Sequence, residues 1–325
     1  MKEEILDILK EKANSGLDVR VLYDDMGSFA MLPSNYPKLL GKYGIKCMQF
    51  NKLSPFAGII MNNRDHRKMM IIDGHTAFSG GINISDEYIN INSKLGVWKD
   101  NGIRIKGEAV WNFTVMFLEM WNSFKKEDND YNKYKYNFTE KYKENGFVVP
   151  YGESPLDDVI TGEDIYLNII NQAKKYVYIY TPYLIIDTDM INSLILAARR
   201  GVDVRIVVPG IPDKKIVYDL TSSYFYTLIK GGVKIYTYTN GFVHSKVFLS
   251  DDEIATVGTI NLDYRSLYLH FECGIYMKDT NVIKDIKKDF EDSFKESHKV
   301  DEKEAKNGLF KGLWQAILRL FAPMM

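Results

Sequence analysis

The sequence predicts an α/β protein of two homologous layered halves related by a pseudo-twofold axis, with the active site at their seam. Three observations predict it. Blocks recur in the same order at offsets of 178 to 188 residues: Gly16-Leu-Asp-Val-Arg20 returns as Gly201-Val-Asp-Val-Arg205, Gly44-Ile-Lys46 as Gly232-Val-Lys234, and His66-x-Lys68-x4-Asp73 as His244-x-Lys246-x4-Asp251. Helix-spaced and strand-like segments alternate within each half. The length, 325 residues, suits two domains of ordinary size.

The elements follow in order. Lys2 to Ala13 has helical spacing with Ile5, Leu6 and Leu9 on one face. Val19 to Tyr23 reads as strand, and Met69 to Ile72 and Thr76 to Ser79 flank an Asp73-Gly74 turn, a hairpin signal. In the second half Tyr176 to Thr181 reads as strand, Asp189 to Arg200 as helix and Val204 to Val208 as strand, while Val247 to Leu249 and Ala255 to Val257 flank the second acidic turn. Residues 1–126 then form the first half, 127–146 a linker rich in Lys, Asn, Asp, Glu and Tyr, 147–299 the second half, and 300–325 a charged stretch with an amphipathic helix. A strand precedes the first helix of the second half, so its counterpart in the first half is expected ahead of Met1.

Composition narrows the function. Lys plus Arg number 42 and Asp plus Glu 43, a net charge of −1, which disfavours a protein that wraps nucleic acid through a broad phosphate footprint. Cys47 and Cys273 lie in no CxxC, so neither a zinc site nor a disulfide framework is expected. Met1 to Ala13 is charged throughout and is no signal peptide, and no run reaches the roughly 18 apolar residues of a spanning helix.

The chemistry lies in a duplicated motif, His-x-Lys-x4-Asp-x6-Gly-x-x-Asn. Its copies are His66, Lys68, Asp73, Gly80, Asn83 and His244, Lys246, Asp251, Gly258, Asn261. Five fixed positions match by chance less than about once in a million starts. Residues two apart in a strand face one side, so each His-x-Lys pair is expected to point into one cleft. Duplication then gathers two imidazoles, two ammonium groups and the Asn83 and Asn261 amides. That set suits phosphoryl transfer on a diester. A neutral imidazole attacks phosphorus, its protonated partner donates a proton to the leaving alkoxide, and lysines and amides hold the phosphate oxygens. With two fixed cations, no metal and no cofactor are called for. Each histidine needs a carboxylate on its far nitrogen, and Asp100 and Glu272 are the candidates. Asp73 and Asp251 join the catalytic set, either as support for the site or as turn residues. Arg64 and Arg67 either attract phosphate or are solvated.

The paired motif resembles the phospholipase D superfamily, and most of all bacterial cardiolipin synthases. The contexts that carry the resemblance are Asn63-Arg-Asp-His-Arg-Lys68, Ser79-Gly-Gly-Ile-Asn83-Ile-Ser-Asp-Glu-Tyr88, Thr181-Pro-Tyr183 and Gly258-Thr-Ile-Asn-Leu-Asp-Tyr-Arg-Ser266, and the likeness runs from about Leu6 to Met325. It implies the phospholipase D fold and a transphosphatidylation. One phosphatidylglycerol gives its phosphatidyl group to a histidine and releases glycerol, and a second takes it up to form cardiolipin. The motifs alone do not say which histidine attacks; the resemblance favours His66. Two departures stand out: the family usually has Asn where His270 stands, and it carries N-terminal membrane spans and an opening strand.

From Gly308 onward, Phe310, Leu313, Trp314, Ile317, Leu318 and Phe321 share a helical face, with Lys311 and Arg319 placed to meet anionic headgroups. The expected location is therefore peripheral on the cell membrane, with core docking of this helix as the alternative. The competing functions are a hydrolytic phospholipase D or nuclease on the same scaffold, and an inactive membrane-associated scaffold.

Overall fold

Each strand named above forms within one or two residues of its expected ends. The computed structural model describes residues 1–52, 62–139, 142 and 145–324. The first half runs α1 (Lys2–Asn14), β1 (Arg20–Asp24), α2 (Asp25–Ser28), α3 (Tyr36–Gly41), β2 (Lys46–Phe50), β3 (Met69–Ile72), β4 (Thr76–Gly80), β5 (Val97–Lys99), β6 (Gly102–Lys106) and α4 (Val110–Phe124). The second runs β7 (Phe147–Glu153), α5 (Thr161–Gln172), β8 (Tyr176–Tyr180), α6 (Thr188–Arg199), β9 (Asp203–Pro209), α7 (Lys215–Ser223), α8 (Phe225–Lys230), β10 (Lys234–Tyr238), β11 (Gly241–Val243), β12 (Val247–Ser250), β13 (Ile254–Gly258), α9 (Tyr264–Tyr268), β14 (Glu272–Lys278), α10 (Val282–Lys295) and β15 (Ser297–Lys299). Two helices follow, α11 (Glu302–Ala305) and α12 (Leu309–Leu320).

The second half centres on an eight-stranded sheet in the order β15-β10-β9-β8-β12-β13-β14-β7. Its strand β8, Tyr-Val-Tyr-Ile-Tyr, shows why it is buried on both faces. Val177 and Ile179 enter one apolar core with α5 and α6, and Tyr176, Tyr178 and Tyr180 enter the other with α10. Tyr180 stacks on Phe290 at 3.9 Å between ring centres. The second core also takes in Ala77, Ile105 and Phe113, which joins the halves. The first half divides into a parallel β1–β2 pair and an antiparallel β3–β4–β6 sheet. In the second half β8 links β9 to β12; among the described residues no strand links β1 to β3. The predicted face of α1 is half-buried.

Within residues 127–146, a short 3-10 turn at Tyr131–Tyr134 folds onto the first half. Arg20 bonds Asp128 at 2.6 Å and the Tyr134 hydroxyl at 2.6 Å, and His75 packs its ring on Tyr136 and Phe138. Helix α12 docks by its polar side. Gln315 donates to the Asp219 carbonyl at 3.0 Å, Leu318 is buried, and Arg319 bonds Ser223 and lies over the Tyr224 ring. Arg319 thus serves the docking contact, contrary to the expectation that it meets headgroups. Leu309, Phe310, Leu313, Trp314, Ile317 and Phe321 face outward, with Phe310 88% exposed. Among the described residues no helix is long and apolar enough to cross a membrane.

Gly258, the motif glycine at the end of β13, meets β14 closely: a Cβ there would lie 2.5 Å from the Cys273 carbonyl oxygen and 2.7 Å from Gly274 Cα. Both are backbone atoms that cannot swing aside. Gly258→Ala is expected to lower stability by about 1–3 kcal/mol, read from the midpoint of urea unfolding.

Candidate active site

His66 and His244 lie just ahead of β3 and β12. They are extended because their backbones pair across the seam. Asp65 bridges Phe271, and the His66 N–H donates to the Phe271 carbonyl at 2.9 Å. On the other side β5 pairs with β11, and the His244 N–H donates to the Lys99 carbonyl at 2.7 Å. Each lysine folds back on its own motif: Lys68 Nζ donates to the His66 carbonyl at 2.6 Å, and Lys246 Nζ donates to the His244 carbonyl.

The orienting carboxylates cross between halves. His66 Nδ1 lies 2.8 and 3.0 Å from the two oxygens of Glu272, which belongs to the second half. His244 Nδ1 lies 2.7 Å from Asp100 Oδ2, which belongs to the first. A carboxylate that accepts Nδ1–H leaves the Nε2 lone pair for chemistry. Space for Asp100 depends on Gly81, since a Cβ there would sit 2.1 Å from Asp100 Oδ1.

Burial governs the electrostatics. Glu272 is wholly buried, and burial raises its carboxyl above the ordinary value. Burial also opposes ionisation of Asp100, but the His244 hydrogen bond and the Lys246 charge outweigh it and hold the carboxyl below its ordinary value. Burial, reinforced by the neighbouring ammonium groups, pushes His66 well below its usual range and His244 down to about 3. Burial likewise lowers Lys68 to about 8 and Lys246 to about 7. The unliganded site therefore holds two neutral imidazoles beside two lysines that release protons easily.

The amides are held in place by their neighbours. Asn83 donates to the Tyr88 hydroxyl at 2.6 Å, and Asn261 donates to Asp263 at 3.0 Å while Asp263 caps α9. The Tyr88 ring stands 5.1 Å from His244. The motif reading missed Tyr88 and Asp263 as site residues. Asp263 carried a signal, the Asp-x-x-Ser pattern of a helix start; Tyr88 carried none that is local. A ring stands two residues before each orienting carboxylate, Trp98 at 5.5 Å from His244 and His270 at 5.8 Å from His66. Burial lowers His270 to about 4.

Asp73 and Asp251 do not join the site, which corrects their catalytic assignment. Each occupies a hairpin turn with positive φ, at 54° and 57°. Asp251 lies roughly 16 Å along the chain from Lys246, at the far end of β12. Its carboxylate accepts the backbone N–H groups of Lys174, Lys175 and Tyr176 at 2.7 to 2.8 Å and so secures the start of β8. Arg64 is buried and Arg67 half-buried, each bound by protein partners rather than solvated. Arg64 donates to the Asn51 carbonyl at 2.8 Å, and Arg67 is held by both oxygens of Asp65 at 2.9 Å.

Residues 1–121 and 166–294 match the family described as cardiolipin synthase, PLD-like domain. The chain is 41% identical over 295 residues to cardiolipin synthase 1 of Staphylococcus aureus (strain MRSA252), covering 88% of this chain and 58% of that one. It is 38% identical over 282 residues to a cardiolipin synthase of Halalkalibacterium halodurans, covering 86% and 56%. The chain thus spans under three fifths of these curated relatives. The crystal structure of phosphatidylserine synthase from Haemophilus influenzae Rd KW20 superposes with a TM-score of 0.70 at 18% identity, covering 99% of this chain and 84% of that one, a likeness of fold.

Two substitutions separate the site from its frame. Asp100→Asn presents the wrong partner to His244 and is expected to lower turnover by about 10²- to 10⁴-fold at wild-type stability. Asp251→Ala strands three backbone donors and is expected to cost about 2–4 kcal/mol in denaturant unfolding, with turnover per folded molecule retained.

Proposed function

The chain belongs to the cardiolipin synthase family of phospholipase D-like domains, and on that footing we propose that it makes cardiolipin from two molecules of phosphatidylglycerol. The observation that carries the reading is the pair of crossed His–carboxylate contacts with Lys68 and Lys246 beside them. Nε2 of His66 attacks phosphorus, an N–P bond forms, and the P–O bond to glycerol breaks. His244 supplies the proton that the departing glycerol oxygen takes. The hydroxyl of a second phosphatidylglycerol then attacks phosphorus, the N–P bond to His66 breaks, and the hydroxyl proton goes back to His244. Glu272 and Asp100 stabilise the positive charge that each ring carries in turn. Lys68, Lys246, Asn83 and Asn261 hold the phosphate oxygens.

The proton that His244 needs is taken up from solvent when the substrate anion binds. Two ammonium groups and burial keep the empty site short of protons; a diester anion between the lysines reverses that repulsion. An anion between them raises Lys246 and Lys68 from about 7 and about 8, so binding of a soluble glycerophosphodiester is expected to take up protons from about pH 7 upward. Calorimetry in buffers of different ionisation heat measures it, and heats that do not vary with buffer would contradict the scheme.

The decisive assay mixes the purified chain with phosphatidylglycerol vesicles and resolves products by mass. Cardiolipin with equimolar glycerol is expected, lost by at least about 10⁴-fold in His66→Ala and in His244→Ala. Phosphatidic acid alone would make the enzyme a hydrolase, and unchanged turnover in both variants would sink the mechanism.

Attachment to the membrane surface is supported by α12, which turns its apolar side outward while its polar side holds α7. Its exit turn, Ala322–Met324, is bonded to Arg265 of α9, the helix whose cap holds Asn261. Replacing Phe310 and Leu313 together by Glu is expected to weaken binding to anionic vesicles by about tenfold or more in a flotation assay, with the fold intact.

A further inference from the structure

We infer that His66, His270 and Glu272 form a site for a divalent transition-metal ion such as Zn²⁺, and that the bound ion switches the centre off. Of the mechanism above, only the inhibition rests on it; the binding does not. One ligand atom from each of the three residues lies within 4.8 Å of the others. In a tetrahedral zinc site with bonds of about 2.1 Å, ligand atoms stand about 3.4 Å apart. The separations from Glu272 Oε1, 2.8 Å to His66 Nδ1 and 3.9 Å to His270 Nδ1, bracket that value. Two imidazoles and one carboxylate are a ligand set that zinc uses readily.

His270 is the second, independent observation. Both its ring nitrogens are shut off from solvent, and neither has a hydrogen-bond partner among the described residues. The mechanism does not use this imidazole. The pseudo-twofold axis sharpens the point, because the equivalent position beside Asp100 and His244 is Trp98, whose ring offers no ligand lone pair. A third ligand is therefore built at one histidine and not at the other. Lys68 and Lys246 stand nearby and oppose a second cation, so the ion binds more weakly than in a closed structural site and exchanges.

The inhibition has a definite cause. In the resting centre Nδ1 of His66 carries the proton and Nε2 carries the lone pair that attacks phosphorus. When Nδ1 forms a bond to the metal as a neutral ligand, its proton moves through solvent to Nε2. The attacking lone pair is then gone, with no net change in protons.

The test uses the full chain, stripped with a chelator and then titrated with Co²⁺ for visible ligand-field bands and with Zn²⁺ by calorimetry. One equivalent is expected to bind. His270→Asn is expected to weaken binding more than about tenfold, since even loss of an outer partner of a metal ligand costs that much. His298→Ala, at an exposed histidine paired with Glu304, is expected to bind as wild type. Zn²⁺ is expected to stop cardiolipin formation, a chelator to restore it, and His270→Asn to hold its own metal-free rate at zinc levels that stop the wild type. Should His270→Asn lack the native circular dichroism spectrum, His270→Gln takes its place. No cobalt bands, or equal affinity in the His270 variant, would overturn the site even if cardiolipin is made. Binding that depends on His270 in a chain that makes no cardiolipin would leave the site standing and remove the activity instead.

Discussion

Two contacts that cross between the halves, His66 with Glu272 and His244 with Asp100, set what the rest of the fold must do. A carboxylate with no solvent exposure, such as Glu272, is tolerable only with a partner held at hydrogen-bond distance. Each half supplies a histidine and a carboxylate that do not meet each other, so neither half completes a site alone. The seam must then be held to a few tenths of an ångström. Backbone hydrogen bonds do this: the β5–β11 pairing, the Asp65–Phe271 bridge and the N–H groups of the two histidines themselves. Two of the donors that align the halves are thus backbone groups of the histidines themselves.

Two imidazoles, two lysines and two carboxylates, each buried or half-buried, work against stability. The opposing term is apolar burial in the eight-stranded sheet, where central strands such as β8 send side chains into a core on either face. The two halves contribute unequally to this. The second holds one continuous sheet, whereas the first holds two small ones and leans on the second through Ala77, Ile105 and Phe113. Asp251 belongs to the same frame, since its three backbone hydrogen bonds secure β8 at the end remote from the catalytic groups.

The parts of the sequence that were legible are those governed by short-range rules. Short apolar and β-branched runs beside turns marked β3, β4, β8, β9, β12 and β13, and the Asp-Gly turn marked the first hairpin. Fixed spacing marked both histidines, both lysines and both motif amides. Misreadings arose where a local pattern admits two environments. Asp73 and Asp251 share the spacing of the motif, but the turn after a four-residue strand carries them away from its start. Arg64 and Arg67 look like phosphate ligands in sequence, yet Asp65 and nearby carbonyls occupy them. On α12 the amphipathic stripe was plain, but which side packs inward depended on Gln315 and Arg319 finding polar partners on α7.

The sequence by itself determined the duplication, the groups proposed to react and the α/β character, because repeats, spacing and periodicity are properties of neighbours along the chain. It could also nominate Asp100 and Glu272, but it could not assign them to their histidines. Only the tertiary structure decided that each carboxylate serves the histidine of the opposite half, that Trp98 and His270 take equivalent places beside unlike centres, and that α12 shows its apolar face to the outside. Those outcomes depend on contacts between residues 144 to 206 positions apart, or on which surface of the body a helix meets. Such contacts follow from the packing of whole sheets, which no local pattern records.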